Sequence, residues 1–455
     1  MPSPRFNRPR FALAVFVLAC GTSLAFPQDV LTYHNNNART GLNPSETTLT
    51  LSNVNSASFG KLFILPVDGL VDAQPLYLSA VPIPGRGTHN LLIVATEHDS
   101  VYAFDADTGS PIWHITTLKS GETTSDDRGC YQVTPEIGIT STPVINRPKG
   151  SNGVIYTVAM SKDPSGNYHQ RLHALDATTG NELYQGPVNI TAKYPGTGDN
   201  SSGGYVIFDP AQYKERSGLL LAGGLLYLTW ASHCDIRPYT GWIMGYNPDT
   251  LAQKTVLNVT PNANEGAIWG SGAGLTADSA DNIFFLDANG IFDTKLNSGG
   301  FPSSGDYGNA FIKLTTKGGL AIADYFEVYN GVQESEHDVD LGSGGAILLP
   351  NLKDSSGTTR QLAAGAGKDQ QPLPGQSPFH GKIQTQPQQH LSGTFRGFAR
   401  RHLVHARLLP GQALFRSCRP TYPRVPISES QTADYSCGAN QHLLRVPRRH
   451  AQHLL

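Results

Sequence analysis

The chain has 455 residues, of which 39% are hydrophobic, 15% are charged and 9% are aromatic. A charged fraction well below the roughly 25% of an average soluble domain excludes coiled coils and bundles of long surface helices. The 48 glycines and 31 prolines together stay below the level that marks collagen or low-complexity disorder. The formal net charge of −2 is unremarkable, but it is the sum of an acidic part and a basic part.

Residues 1–25 have the pattern of a signal peptide. Three arginines precede an apolar run from Phe11 to Cys20, which is too short to cross a bilayer as a helix. Ser23 and Ala25 supply the small side chains that signal peptidase requires. The segment ending at Cys20 also resembles a lipobox, which would leave this cysteine as a lipidated N-terminus. We therefore expect an extracytoplasmic protein, secreted, periplasmic or lipid-anchored, with no transmembrane span.

Two cysteines, Cys130 and Cys234, follow in the body of the chain. Export to an oxidising compartment permits a disulfide between them. Two buried thiols are the alternative, because the spacing of the two residues does not decide between these states.

A hairpin-like motif recurs along the body of the chain. Its copies are VYAFDADTGSPIWH at 101–114, LHALDATTGNELYQ at 172–185, IMGYNPDTLAQKTV at 243–256 and, more weakly, FIKLTTKGGLAIAD at 311–324. Equivalent positions Asp105, Asp176, Asn247 and Thr315 are 71, 71 and 68 residues apart. Alternating apolar residues predict a strand, the Asp-x-x-Thr-Gly segment predicts a turn, and a second strand follows. A single hairpin cannot bury its apolar face, so the repeats are expected to pack on one another.

A second series of small residues marks another strand of each unit. It consists of Gln74-Pro75, Thr142-Pro143, Ser217-Gly218, Ser271-Gly272 and Ser343-Gly344. Small side chains suit the innermost strands of a propeller, where the blades converge. The sequence therefore predicts an all-β protein, a β-propeller of four-stranded antiparallel blades.

The motifs T-P-x-x, G-x-x-Y and A-x-D-x-x-T-G-x-x-x-[WY] resemble the repeat of PQQ-like β-propellers, a superfamily that includes the quinoprotein alcohol dehydrogenases. The predicted propeller domain covers residues 26–369, and the resemblance is strongest at 91–113 and 138–184. It implies the fold. Catalytic and purely structural members share the repeat, so it does not imply an activity. Rings of this superfamily have six to eight blades, and about five units fit into the range.

For catalytic members, the resemblance implies a pyrroloquinoline quinone (PQQ) held between a tryptophan and a pair of adjacent cysteines, with a bound Ca²⁺ ion. Cys130 and Cys234 are not adjacent in sequence. Trp269, directly before the small-residue step Ser271-Gly272, is the expected platform for a planar cofactor. Trp113 ends a repeat hairpin, where packing is the expected role.

A run of alternating acids forms a candidate metal site. Glu334, Glu336, Asp338 and Asp340 occupy every second position, so an extended chain would present four carboxylates on one face. A hard cation such as Ca²⁺ would relieve their mutual repulsion. A solvated acidic loop is the alternative.

The repeat pattern stops after residue 369. Residues 370–455 contain ten Arg and one Lys against two acids, a charge of about +9, which leaves about −11 for the rest of the chain. We expect a disordered tail produced by a frameshift, with a natural basic tail and a separate domain as alternatives; no nucleic-acid partner is expected. A propeller truncated in this way would expose blade surfaces and aggregate.

The leading functional hypothesis is an exported propeller that acts as a binding or scaffold module without a catalytic site. Its partner would be a protein, a glycan or another small molecule. A PQQ- and calcium-dependent oxidoreductase is the alternative from another class, and a carbohydrate-binding propeller is a third.

Overall fold

The computed structural model describes residues 28–150, 152–328, 330–353 and 357–368, together with the backbone of four strands in the range 372–445. The described chain forms five consecutive antiparallel sheets, here called blades 1 to 5. The predicted signal peptide and Cys20 lie outside the described residues. No described helix is long and apolar enough to cross a membrane.

Blades 1 and 2 follow each other directly along the chain. Blade 1 contains β1 (Leu76–Ile83), β2 (Gly87–Ala95), β3 (Ser100–Asp105) and β4 (Pro111–Thr116), paired in that order. Blade 2 contains β5 (Thr123–Asp126), β6 (Glu136–Ile137), β7 (Val144–Asn146), β8 (Val154–Lys162), β9 (Tyr168–Asp176) and β10 (Val188–Asn189). Strand β8 lies at its centre and pairs with β5, β7 and β9.

A small three-stranded sheet precedes blade 3 and is formed by β11 (Lys193–Pro195), β12 (Ser201–Ser202) and β13 (Tyr205–Ile207). Blade 3 itself contains β14 (Tyr213–Glu215), β15 (Leu220–Ala222), β16 (Leu225–Ser232), β17 (Trp242–Tyr246) and β18 (Gln253–Asn258). Strands β14 and β15 pair with different parts of β16, so together they fill the place of one inner strand.

Blade 4 contains β19 (Thr276–Ala277), β20 (Ile283–Leu286), β21 (Ala310–Thr315) and β22 (Ala321–Glu327), again in chain order. A short helix, α1 (Gly331–Glu336), leads to blade 5, which contains β23 (Ile347–Leu348), β24 (Leu352–Lys353), β25 (Thr359–Ala366) and the backbone of β26 (Pro372–Ser377). Two single-turn 3₁₀ helices, Gly270–Gly272 and Leu341–Ser343, precede blades 4 and 5.

Of the predicted tail, the structure describes the backbone of β26 and of a separate sheet. That sheet consists of β27 (His405–Leu409), β28 (Gln412–Arg416) and β29 (His442–Arg445). The frameshift and the disorder predicted for 370–455 otherwise concern residues outside the described part and stay predictions.

The repeat motifs form the predicted turns. Asp105 Oδ1 accepts hydrogen bonds from the backbone amides of Asp107 and Thr108 at 3.0 and 2.7 Å, between β3 and β4. Asp176 and Asn247 make equivalent bonds in blades 2 and 3. Gly109, at φ 74°, ends the first turn in the left-handed region, which explains the glycine of the motif. The predicted hairpins are confirmed.

The small-residue series lines the inner ring of the propeller, but its steps lie just before the innermost strands rather than within them, and two of them lie in the 3₁₀ helices. Consecutive steps are joined by hydrogen bonds: Gln74 N to Thr142 Oγ1 at 2.9 Å, Leu219 N to Thr142 O at 3.0 Å, Gly218 N to Gly272 O at 3.2 Å and Ser271 Oγ to Ser343 O at 2.6 Å. Such close contact between backbones requires small side chains. A Cβ placed on Gly344, for instance, would lie 1.9 Å from the carbonyl oxygen of Ala366.

The N-terminal segment 30–39 runs along this inner ring and contacts all five blades. The segment donates hydrogen bonds to the carbonyl oxygens of Tyr77 and Leu221, and its own carbonyl oxygens accept hydrogen bonds from the backbone amides of Ile145, Ala277 and Leu348. Arg39 is buried and donates hydrogen bonds to the carbonyl oxygens of Leu275, Tyr33 and Leu219 and to Thr32 Oγ1. A single segment therefore connects the inner strands of the whole series.

The hydrophobic core is divided among the interfaces between neighbouring blades. One cluster lies between blades 1 and 2, the next between blades 2 and 3, and two more follow in the same way. Within the described residues, no strand pairing joins blade 5 to blade 1. The predicted incomplete propeller of about five all-β units is thus confirmed.

Candidate functional site

Polar side chains gather just after the second strand of four blades, where β14 and β15 of blade 3, like β23 and β24 of blade 5, count as one inner strand. Glu97 follows β2, Asp235 follows β16, Asn289 follows β20 and Lys368 follows β25, each by two or three residues. Because these strands are equivalent in the repeat, their ends lie at the same end of the propeller. Loops at one end of a repeated scaffold are a common location for binding residues.

Three carboxylates of this end form a compact cluster. Oxygen atoms of Asp235, Asp338 and Asp340 lie within 4.8 Å of one another. The Lys368 ammonium donates to Asp338 Oδ1 and Asp340 Oδ2, both at 2.7 Å. Three carboxylates and one ammonium leave two negative charges uncompensated within this group.

Burial and hydrogen bonds shift the pKa values of Asp340 and Lys368 in this cluster. Burial raises the pKa of Asp340, and the hydrogen bond from Lys368 opposes this effect. Burial disfavours the charged form of Lys368, but its hydrogen bonds to Asp338 and Asp340 raise the pKa of the ammonium above its ordinary value. Lys368 is therefore held in its charged form by the carboxylates.

Asn289 completes the cluster from blade 4. Its backbone amide donates to Asp340 Oδ1 at 3.1 Å and its Nδ2 donates to Asp338 Oδ1 at 3.2 Å. The side chain is buried, and its Oδ1 has no hydrogen-bond partner among the described residues. A buried amide oxygen without a donor is costly, and a cation beside the carboxylates would satisfy it.

The predicted row of four acids is only partly brought together. Glu334 and Glu336 lie on α1, so the chain is not extended there and the four carboxylates do not share one face. Glu334 is buried and accepts a hydrogen bond from Asn309 Nδ2, whereas Glu336 is exposed. The expected extended geometry is wrong for the first two acids, because Gly331–Glu336 form a helical turn. The metal-binding role of the four acids stays a prediction.

Positively charged side chains form another part of the same end. Lys214 and Arg216, two residues apart at the end of β14, are both influenced by the charges of Glu97 and Asp72. Burial and, to a smaller extent, the nearby Arg216 lower the pKa of Lys214 to about 8. Burial raises the pKa of Glu97.

Trp269 lies beside this cationic group. Its ring is partly buried, and the Arg216 guanidinium carbon lies 4.7 Å from the ring centroid. The 3₁₀ helix that follows Trp269 contacts the one that follows Asp340 through the hydrogen bond from Ser271 to Ser343. Trp269 thus lies at the same end of the propeller as the carboxylate cluster, with a cation stacked on one face of its ring.

Cys130 and Cys234 form a disulfide, with a Cα–Cα distance of 5.5 Å. It joins a loop of blade 2 to the loop of blade 3 that carries Asp235. The sequence motifs did not single out Asp235, Asn289 and Lys368 as site residues. Their shared position shortly after the second strand of a blade is the signal that could have found them.

The donor set suits a hard divalent cation better than it suits a quinone. Carboxylate and amide oxygens are ligands that Ca²⁺ prefers, and Asp235, Asp340 and the unpartnered oxygen of Asn289 provide them. A planar quinone could use the Arg216 face of Trp269 only if the guanidinium moved away. The adjacent cysteine pair implied by the family resemblance does not occur in the described part of the chain.

The structure is similar to known propellers. The sequence matches no protein-family model and no curated protein. The quinohemoprotein alcohol dehydrogenase of Comamonas testosteroni superimposes with a TM-score of 0.56 at 15% identity, covering 86% of this chain and 57% of that one. A second one, from Pseudomonas putida HK5, gives a TM-score of 0.55 at 13% identity, covering 88% and 59%. A europium-containing methanol dehydrogenase gives 0.53 at 13%, covering 77% and 56%.

This chain shares the β-propeller fold of these dehydrogenases. At such low identities the similarity concerns the fold alone. The chain spans less than two thirds of the length of these dehydrogenases. Its polar end, built from Asp235, Asn289, Asp338, Asp340 and Lys368, is therefore considered from its own residues.

Proposed function

We propose that the protein is an exported binding propeller whose polar end holds a divalent cation, with Ca²⁺ as the expected ion. The cation would be held by Asp235 and Asp340 with the amide oxygen of Asn289. The cluster with its two uncompensated charges and its unpartnered amide oxygen carries this proposal. The bound cation would in turn attract a ligand with oxygen donors, and Lys214 and Arg216 would favour an anionic one.

Calorimetric titration of the full chain with Ca²⁺ tests the cation site. We expect saturable binding and a rise in melting temperature, because a ligand that binds only the folded state stabilises it. Asp340→Asn should weaken binding at least tenfold, since it removes one charge from the donor set. Asp107→Asn is the matched control, because it makes the same change at an exposed turn of blade 1. No heat and no melting shift at millimolar Ca²⁺ would refute the site.

A second candidate is a calcium-dependent quinoprotein oxidoreductase, and the position of Trp269 beside the cluster favours it. The similar proteins named above are quinohemoprotein alcohol dehydrogenases and a methanol dehydrogenase that contains a metal ion. When bound, PQQ would supply the two-electron oxidation chemistry. The chain's own residues would hold the cation and, after Arg216 has moved, offer Trp269 as a platform.

Reconstitution with PQQ and Ca²⁺ distinguishes the two candidates. Quenching of tryptophan fluorescence that is lost in Trp269→Phe, together with dye reduction in the presence of alcohols, would support the oxidoreductase. Calcium binding without quenching or dye reduction would support the binding module. Trp113→Phe is the control, because Trp113 packs between blades and donates to Ala177 O at 3.1 Å.

A further inference from the structure

We infer that the Cys130–Cys234 disulfide holds Asp235 in the cation cluster, so that reducing this bond weakens cation binding. The inference rests on the proposed cation site, and it assigns to the cysteines a positioning role. It makes the affinity of the site dependent on the redox state of the protein.

The backbone around Asp235 is in an unfavourable conformation. Cys234 and Asp235 both have φ values of 52°, in the left-handed region that side-chain-bearing residues seldom adopt. Two such residues in succession persist only where surrounding contacts fix them. Without those contacts the segment would relax and carry the Asp235 carboxylate away from Asp338 and Asp340.

Burial does not supply those contacts. Cys234, Asp235 and the following Ile236 are all exposed, so side-chain packing does not fix this segment. Specific bonds restrain it instead, among them those from Ile236 N to His233 O at 3.1 Å and from Ser232 Oγ to Ile236 O at 2.9 Å. Tyr239 Oη donates to Asp235 Oδ1 at 3.0 Å, and Arg237 forms a bidentate pair with Asp199 at 2.7 Å on the C-terminal side.

The disulfide supplies the restraint on the N-terminal side of Asp235. It connects positions 104 residues apart in sequence and spans from blade 2 to blade 3. Cys130 belongs to a loop that is itself attached to the scaffold, since Arg128 Nε donates to Ala211 O at 3.0 Å. The covalent bond next to Asp235 thus transfers the rigidity of two blades to a cation ligand.

Reduction of the disulfide would remove this restraint on Asp235 without removing any of the candidate cation ligands. A soluble dithiol transfers two electrons and two protons to the disulfide, which becomes the thiols of Cys130 and Cys234, while the dithiol becomes a cyclic disulfide. Cys234 is exposed, so the bond is accessible to the reductant. Asp338, Asp340 and Asn289 stay in place and retain part of the affinity.

The test is a Ca²⁺ titration of the full chain in the oxidised, the dithiothreitol-reduced and the re-oxidised state. It is performed at a temperature at which circular dichroism shows all three to be folded. We expect the dissociation constant to rise about tenfold on reduction and to return on re-oxidation. The double variant Cys130→Ser, Cys234→Ser should behave as the reduced protein does.

The Asp235→Asn variant distinguishes a role of the disulfide that acts through Asp235 from a purely structural role. If the bond acts through Asp235, reduction should change the residual affinity of this variant by less than twofold. An unchanged affinity in the reduced wild type would overturn the inference and leave the cation site intact. A tenfold loss on reduction in Asp235→Asn as well would also overturn it. Failure of the oxidised protein to bind Ca²⁺ would refute the proposed site itself.

Discussion

The ion pair between Arg171 and Glu122 shows how a single contact stabilises blade 2. Arg171 on β9 donates to both Glu122 oxygens at 2.7 Å, and both side chains are less than a tenth exposed, at 5% and 7%. The hydrogen bonds from Arg171 lower the pKa of Glu122 to about 2. A buried charge of this kind depends on its partner, because an uncompensated ion in a dry environment is very unfavourable.

Glu122→Gln should lower the free energy of unfolding by about 3 kcal/mol at pH 7, because it leaves Arg171 buried without its partner. The folded pKa is below the unfolded one, so the wild-type contribution is present above about pH 4.5 and is lost as the pH falls through about 2. Urea unfolding at pH 7 and pH 3 measures both effects.

Asp249→Asn is the comparison for this prediction. It disrupts the ion pair with Lys149, in which both side chains are more than 40% exposed, and should cost less than about 1 kcal/mol. Equal losses in the two variants would show that the Arg171–Glu122 pair gains nothing from its burial.

Individual strands are held to the next blade by contacts with the turn of the repeat motif. Trp113 and Ile115 on β4 pack against Gly180, the last residue of the blade 2 turn. A Cβ at Gly180 would lie 2.8 Å from the Trp113 ring and 3.0 Å from Ile115. The glycine of the motif therefore serves two purposes: it adopts φ 74° and leaves room for the neighbouring strand.

Gly180→Ala should destabilise the protein by about 3 kcal/mol, because the unfavourable φ and the steric clash with Trp113 add. Gly166→Ala is the matched control: its φ is 86°, but nothing lies within 4 Å of the added Cβ. We expect it to cost about 1 kcal/mol. Chemical denaturation measures the difference, and similar losses would contradict a packing role for Gly180.

Gly109, the glycine of the blade 1 turn, makes the same kind of contact with the segment that precedes blade 1. A Cβ at Gly109 would lie 3.1 Å from Phe63 and 3.2 Å from Leu65, so residues 61–67 occupy the place of an outer strand. No described strand pairs with this segment. Its other side presents Leu62 and Ile64, which are 89% and 73% exposed. An exposed apolar segment that no strand covers is a site of association.

At the scale of the whole molecule, we therefore expect the chain to self-associate at micromolar concentrations. Ile64→Asp should reduce association, because a charge on the exposed side opposes contact with another apolar surface. Light scattering over a concentration series measures the effect. Val332→Asp is the control, because it makes the same kind of change at an exposed residue of α1. Ile112→Asp would not serve, because Ile112 packs in the core. A monodisperse wild-type monomer would contradict the prediction.

Periodicity alone determined the architecture of this protein. The spacing of Asp105, Asp176 and Asn247 and the series of small residues predicted the hairpins and the inner ring, because turn geometry and close backbone contact depend on local residue types. The acidic segment was misjudged, since alternation over a few residues does not distinguish a strand from a helical turn followed by a loop.

Only the tertiary structure decided which side chains meet. Asp235, Asn289, Asp340 and Lys368 come from three different blades, and nothing in their local sequence joins them. They converge because equivalent strands of successive blades end at the same end of the propeller. The near-neutral net charge is the sum of an acidic body and a basic tail, and the acids of the body are themselves unevenly distributed. The fold concentrates part of that acidity at one end of the propeller, the end for which we propose a cation site.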